Sequence, residues 1–176
     1  DSGLISLVIP DSVQVIADRA FSGAPIQSLT LGTSLAVWAN TTNDRDPFYG
    51  VCSTLVSAEI NVSEIPEHAF DGCSKLTSLT LDNNVNRIGT AAFSNASSLE
   101  ELVIPDSVTT LGSSSFSGAS SLKKIVIPDS VMTLGSNSFN GASALESAVL
   151  GSGLTELSSS VFKGTGALTS INIPSS

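Results

Sequence analysis

Residues 99–122 read LEELVIPDSVTTLGSSSFSGASSL, and residues 122–145 read LKKIVIPDSVMTLGSNSFNGASAL, the same phrase displaced by twenty-three positions. A fixed period of that length marks a solenoid, in which one coil cannot bury its apolar residues alone and must stack on the next. Phenylalanine carries the period along the chain. Phe70, Phe93, Phe116, Phe139 and Phe162 fall at strict intervals of twenty-three, and Phe21 and Phe48 extend the series at irregular spacing. Six residues after most of them an L-x-x-L-x-L element begins, as at Leu76, Leu79 and Leu81, or Leu99, Leu102 and Ile104.

The closing L-x-L alternates with a period of two, so each element is expected to be a strand, and copies in register give a parallel sheet. Eight such strands and seven full coils are expected, in a single domain covering residues 1–176. Pro10, Pro105, Pro128 and Pro174 follow their strands directly and end them, because proline has no N–H for a ladder. The Asp-Ser that follows in three coils suits a turn closed by its own side chains. A second apolar pair comes next, such as Val85 and Ile88 or Val108 and Leu111. It is read as a short second strand in preference to a turn of 3-10 helix. The serine-rich bend before each Phe is read as a tight or 3-10 turn.

Two residues after the Phe stands Gly23, Gly50, Gly72, Gly118, Gly141 or Gly164, and once Asn95. Asn is the side chain that best tolerates a left-handed backbone, so the exchange points to a position with positive φ. The next position is small (Ala24, Cys73, Ala96, Ala119, Ala142) and is expected to point inward.

Of the 176 residues 41% are hydrophobic and only 13% charged, with a formal net charge of -9. That length and apolar content suffice for one continuous core. Seven Lys plus Arg against sixteen Asp plus Glu leave no basic patch for nucleic acid or an anionic membrane. No apolar run approaches the ~20 residues of a spanning helix. Asp1 already lies within a repeat, which reads as a chain processed or cut from a longer array. Residues 32–50 break the rhythm: this irregular coil is longer by about four residues and holds the only Trp, Trp38, and the only Tyr, Tyr49.

The pattern of residues 99–121, L-x-x-L-x-I-P-x-S-V-x-x-L-G-x-x-x-F-x-G-A-S-S, resembles the BspA-type leucine-rich repeat of bacterial and protist surface proteins. The resemblance extends over essentially the whole chain. It implies a curved right-handed solenoid with the long sheet on the concave side, short strands or 3-10 turns on the convex side and little α-helix. More loosely, it implies an extracellular or cell-surface adhesion role. The insertion at 32–50 and Asn95 depart from the pattern.

Chemistry finds little support. His68, the sole histidine, stands alone in a bend, whereas a triad or a zinc site needs several converging groups. Asp106 and Asp129 stack on adjacent coils beside Asn83, but turn capping explains that column better than a bridging cation. No cofactor, metal or catalytic residue is expected.

The outward face of the main sheet is the candidate contact surface. Its third outward row reads Val8, Thr30, Glu59, Thr80, Val103, Val126, Val149 and Asn172. Beside the three valines, Glu100, Lys123 and Glu146 alternate in sign, and Glu101 opposes Lys124. Valine also favours strands for its own sake, and cross-strand charges also set register. The loop carrying Trp38 and Tyr49 is either a recognition lip or a loop packed on its own aromatics. Asn40, Asn61 and Asn95 head glycosylation sequons, all placed in turns or in the inserted loop. Cys52 and Cys73 occupy near-equivalent places on adjacent coils, within disulfide reach; the resemblance favours free buried thiols there.

Two functions are expected to compete. One is a non-enzymatic binding or adhesion module for a host or matrix protein or a surface glycan. The other is a structural segment of a surface layer, filament or matrix, self-associating through its terminal coils.

Overall fold

The computed structural model describes residues 5–36, 48 and 50–174; Trp38, Asn40 and Tyr49 lie outside them, with most of the lengthened coil. The L-x-L elements form β1 (Ser6–Ile9), β2 (Ser28–Leu31) and β3 (Ser57–Ile60). After the two-residue β4 (Glu64–Ile65) come β5 (Ser78–Leu81), β6 (Arg87–Ile88) and β7 (Thr110–Leu111). The chain ends with β8 (Lys124–Val126), β9 (Thr133–Leu134), β10 (Ser147–Val149) and β11 (Ser170–Asn172). All pairings are parallel, and each inward residue meets its counterpart one coil on: Leu29 lies opposite Ala58 and Ala58 opposite Leu79. Side chains alternate across a strand, so this register puts every apolar position of the repeat into one column.

The second apolar pair forms strands in four successive coils, but Leu154 and Leu157 after β10 form none. β4, β6, β7 and β9 make a sheet of their own on the other side of the coils, with Ile65, Ile88, Leu111 and Leu134 in register and buried. The bend before Phe93 is a tight turn, in which the Ala92 N–H meets the Gly89 carbonyl, and the same bond recurs before Phe21, Phe116 and Phe139. The 3-10 turn among the described residues follows Phe48, at Val51–Ser53.

One expected strand is not formed. Leu99, Leu102 and Ile104 are buried as the pattern requires. Yet residues 100–104 make one bridge forward, Glu101 to Lys124, and among the described residues no main-chain hydrogen bond back to β5. The main sheet is therefore two, β1-β2-β3-β5 and β8-β10-β11. Part of the cause is a single atom. Gly32, Asn61 and Asp82 each close their strand by donating an N–H to the preceding coil. Pro105, which holds that place next, has none to donate.

The core is a ladder of rings between the sheets. Phe70, Phe93, Phe116, Phe139 and Phe162 stack at centroid separations of 5.2–6.0 Å with planes within 10° of parallel. Parallel rings that far apart are offset, the arrangement their quadrupoles favour. Phe70, Phe93, Phe116 and Phe139 are essentially inaccessible to solvent, and burial of each contributes roughly 2–3 kcal/mol. Cys73, Ala96, Ala119 and Ala142 point inward beside them.

Left-handed backbone appears at Gly23, Gly50, Gly72, Gly118, Gly141 and Gly164, and Asn95 joins them with φ 61°. A second left-handed column stands four residues earlier at Arg19, His68, Ala91, Ser114, Asn137 and Ser160. The recurring Pro-Asp-Ser closes its own turn through the main chain, where the Val13, Val108 and Val131 amides donate to the carbonyls of Pro10, Pro105 and Pro128, while its side chains fasten neighbouring coils. Asp11 and Asp129 accept the amides of Thr33 and Ser152 one coil ahead, each at 2.7 Å. Ser107 and Ser130 donate their hydroxyls to Val85 and Val108 one coil behind, at 2.6 and 2.8 Å. Serine thus fastens neighbouring coils as well as clothing the exterior. Cys52 and Cys73 are joined in a disulfide across adjacent coils.

Candidate binding face

The third outward row of the main sheet points to solvent because the residues on either side of it in each strand are held inward. Val126 lies opposite Val149 in the β8–β10 ladder, and Val103 precedes them on the coil that forms no strand. Their exposure falls from 78% at Val103 through 45% at Val126 to 36% at Val149. The trend shows that Val103 lacks the neighbour on its β5 side that a continuous ladder would supply. Around these valines the face sinks into a hollow of about 600 Å³, the size of a site that takes a small molecule or a few side chains.

Charges border the hollow. Lys123 Nζ lies 2.6 Å from Glu100 Oε2. The Lys123 hydrogen bond, and then its charge, hold the Glu100 carboxyl below the usual range; the same bond and charge raise the Lys123 ammonium, with Glu146 and Glu101 adding to the rise. Glu101 and Lys124 meet through the main-chain bridge and carry opposite charges side by side. The structure thus gathers Glu100, Glu101, Lys123 and Lys124 with Val103, Val126 and Val149 around one depression, and Glu146 stands on the next coil.

Asp106 and Asp129 also line the hollow, a place that the turn-capping reading of the sequence did not give them. The signal was present: the turn after each strand recurs at one edge of the sheet, so its Asp residues must form a rim. Asp129 is held below the ordinary carboxylate range by the backbone amide of Ser152 first and its hydroxyl second. The rest of the row lies outside the depression, with Val8, Glu59, Thr80 and Asn172 exposed and Thr30 half-buried.

Other candidate residues lie elsewhere. His68 is exposed and pairs with Asp71, Nδ1 to Oδ2 at 3.2 Å, in the turn before Phe70. Asn95 is exposed and its amide donates to Asp71 and Ser94, while Asn61 is half-buried just beyond β3. Asn40, Trp38 and Tyr49 lie outside the described residues. No group of three or more His, Cys, Asp or Glu side chains among the described residues is placed to hold a metal ion.

Comparison with known proteins agrees with this architecture. The family model described as the BspA type leucine rich repeat region matches in six copies, over residues 1–86 and 63–176. A leucine-rich repeat protein of T. pallidum is 26% identical over 96% of this chain and 69% of its own, with a TM-score of 0.67. One from Bacteroides ovatus is 30% identical over 84% of this chain and 37% of its own, with a TM-score of 0.74. A leucine-rich cell surface protein from Faecalibacterium prausnitzii is 25% identical over 95% of this chain and 53% of its own, at 0.65. No curated protein sequence matches. With the repeat, the parallel sheets and the phenylalanine ladder in place, the chain belongs to the BspA-type leucine-rich repeat family.

Proposed function

We propose that this chain is a non-enzymatic binding module displayed at a cell surface, and that it contacts a partner protein through the hollow on the open face of its main sheet. The observation that supports this is the row of exposed valines, Val103, Val126 and Val149, set in a depression and edged by charge. Valines that served strand formation alone would sit equally well on a flat face. The name of the F. prausnitzii neighbour supports the location.

The border favours one kind of partner. Glu100 and Lys123 neutralise each other, which leaves Glu101, Asp106 and Asp129 of the lining, with Glu146 beside it, against Lys124. A segment presenting an apolar side chain beside basic ones meets both the stripe and the surplus acid. Charges of this kind set orientation and association rate, while the apolar centre supplies affinity.

The test is binding of the purified chain to a panel of extracellular-matrix proteins and glycans, repeated with Val126→Asp and with Met132→Asp. Met132 is an exposed residue beside β9, in the other sheet. A charge in the valine row is expected to weaken binding by about tenfold or more, in the range of interface hot spots, and Met132→Asp to leave it unchanged. Binding indifferent to Val126→Asp would refute the reading. So would end-to-end self-assembly with no captured partner, which belongs to the structural alternative.

A further inference from the structure

The missing ladder between β5 and residues 100–104 is confined to one side of the coils. On the main-sheet side the two coils are unzipped. Lys123, Glu146 and Thr169 each donate an amide to the preceding coil, at 2.9–3.2 Å, and Glu100, the corresponding residue, makes no such bond among the described residues. The core is thinner there as well. Leu79 and Leu81 are each 9% exposed and Leu102 7%, against 0–1% for Leu29, Leu31, Ile60, Ile125 and Ile127.

On the opposite side the same two coils are fully joined. Arg87 pairs with Thr110 and Ile88 with Leu111, and the Thr109 amide reaches the Asn86 carbonyl at 2.9 Å. Between the sheets Phe93 and Phe116 stack at 5.3 Å, the same spacing as elsewhere in the ladder. The gap is therefore open on one face and closed on the other.

We infer that the solenoid is hinged at this seam: the described residues of 5–82 and residues 100–174 rock about the β6–β7 pairing and the Phe93–Phe116 stack, opening and closing the main-sheet face. In a stacked array each coil touches only its neighbours, so a single weak interface divides the whole. The hinge lies at the edge of the hollow, since Val103, Glu100 and Glu101 belong both to its lining and to the lip of the seam. A partner that lay across the face from β5 to β10 would meet a jointed surface. The hinge itself does not depend on the binding reading, and either can fail without the other.

Distance distributions between paired spin labels test this on the intact chain, with the Cys52–Cys73 disulfide leaving no native thiol to label. Glu59→Cys with Val149→Cys spans four coil steps across the seam on the main-sheet face, about 19 Å at the strand spacing. Glu64→Cys with Glu156→Cys spans the same coils on the other face. The first distribution is expected to be about twice as wide as the second, as for a domain-scale motion about a fixed edge. Pro105→Asn restores an N–H where Asn61 and Asp82 have one, and is expected to narrow the first distribution without changing the second. Equal widths on the two faces of the unsubstituted array, narrow or broad, would overturn the hinge whether or not Pro105→Asn folds.

Discussion

At Gly72 the backbone has φ +78° and an added Cβ would meet nothing within 4 Å, so the position isolates conformation from packing. Gly72→Ala is expected to lower the unfolding free energy by about 1 kcal/mol, the cost of a left-handed L-residue. Gly72→Asn should cost less, because Asn95 already holds this conformation one coil on. Chemical denaturation of the three proteins checks the order. Ser115 gives the opposite sign. Its hydroxyl is fully buried without a hydrogen-bond partner, whereas Ser138 bonds the Gly135 carbonyl and the two preceding coils carry Ala69 and Ala92. Ser115→Ala is expected to stabilise by about 1 kcal/mol, since an unpaired buried hydroxyl is worse than none; a loss of stability would show that it finds a partner in solution. These two positions also show what a sequence conceals. The glycine column was legible because one residue type recurs and its single exception is Asn. The second left-handed column was not, because Arg19, His68, Ala91, Ser114, Asn137 and Ser160 share no chemistry that announces positive φ.

Among elements, spacing made the strands, their register and the inward face readable, since period two and period twenty-three are both properties of the letters. What failed to show was how coils are fastened. Asp129 looked like the cap of its own turn, but the acceptor lies beside the amide of the next coil, a fact of stacking and not of local sequence. The lost strand at residues 100–104 was masked for the same reason: its leucines keep the pattern, and only its hydrogen bonds are missing. The interstrand fastenings yield two expectations. Asp11 and Asp129 are both held below the ordinary carboxylate range, first by a backbone amide of the following coil. A carboxyl whose pKa is lower folded than unfolded contributes above the unfolded value and loses that contribution as pH falls through the folded one. The Asp129→Asn protein should therefore show a weaker loss of stability on acidification below the usual carboxylate range than the parent, as followed by denaturation against pH. The disulfide closes a loop of 21 residues, and reducing it is expected to cost about 3 kcal/mol of stability. Denaturant curves with and without reductant would show it, and unfolding identical in both would mean that the bond does not constrain the unfolded chain.

For the molecule as a whole, the apolar residues form a single column from Ile9 to Val161, walled by the divided main sheet on one side and by β4-β6-β7-β9 on the other. That column is filled by rings and branched side chains, so interactions with other molecules fall to the exterior. The candidate face was partly legible: alternation alone sends Val103, Val126 and Val149 outward, and twenty-three-residue spacing lines them up with Glu100, Lys123 and Glu146. The hollow was not, because its rim of Asp106 and Asp129 comes from the stacking of successive turns, which a linear pattern does not display. A binding module of this design is touched by its partner on the main-sheet face. Methyl NMR of the chain, titrated with a matrix protein that it binds, reports this at once for the three valines and for Met132 in the same sample. The expected result is that the Val103, Val126 and Val149 methyls shift or broaden together and the Met132 methyl does not. Perturbation of Met132 with the valines unmoved would contradict it.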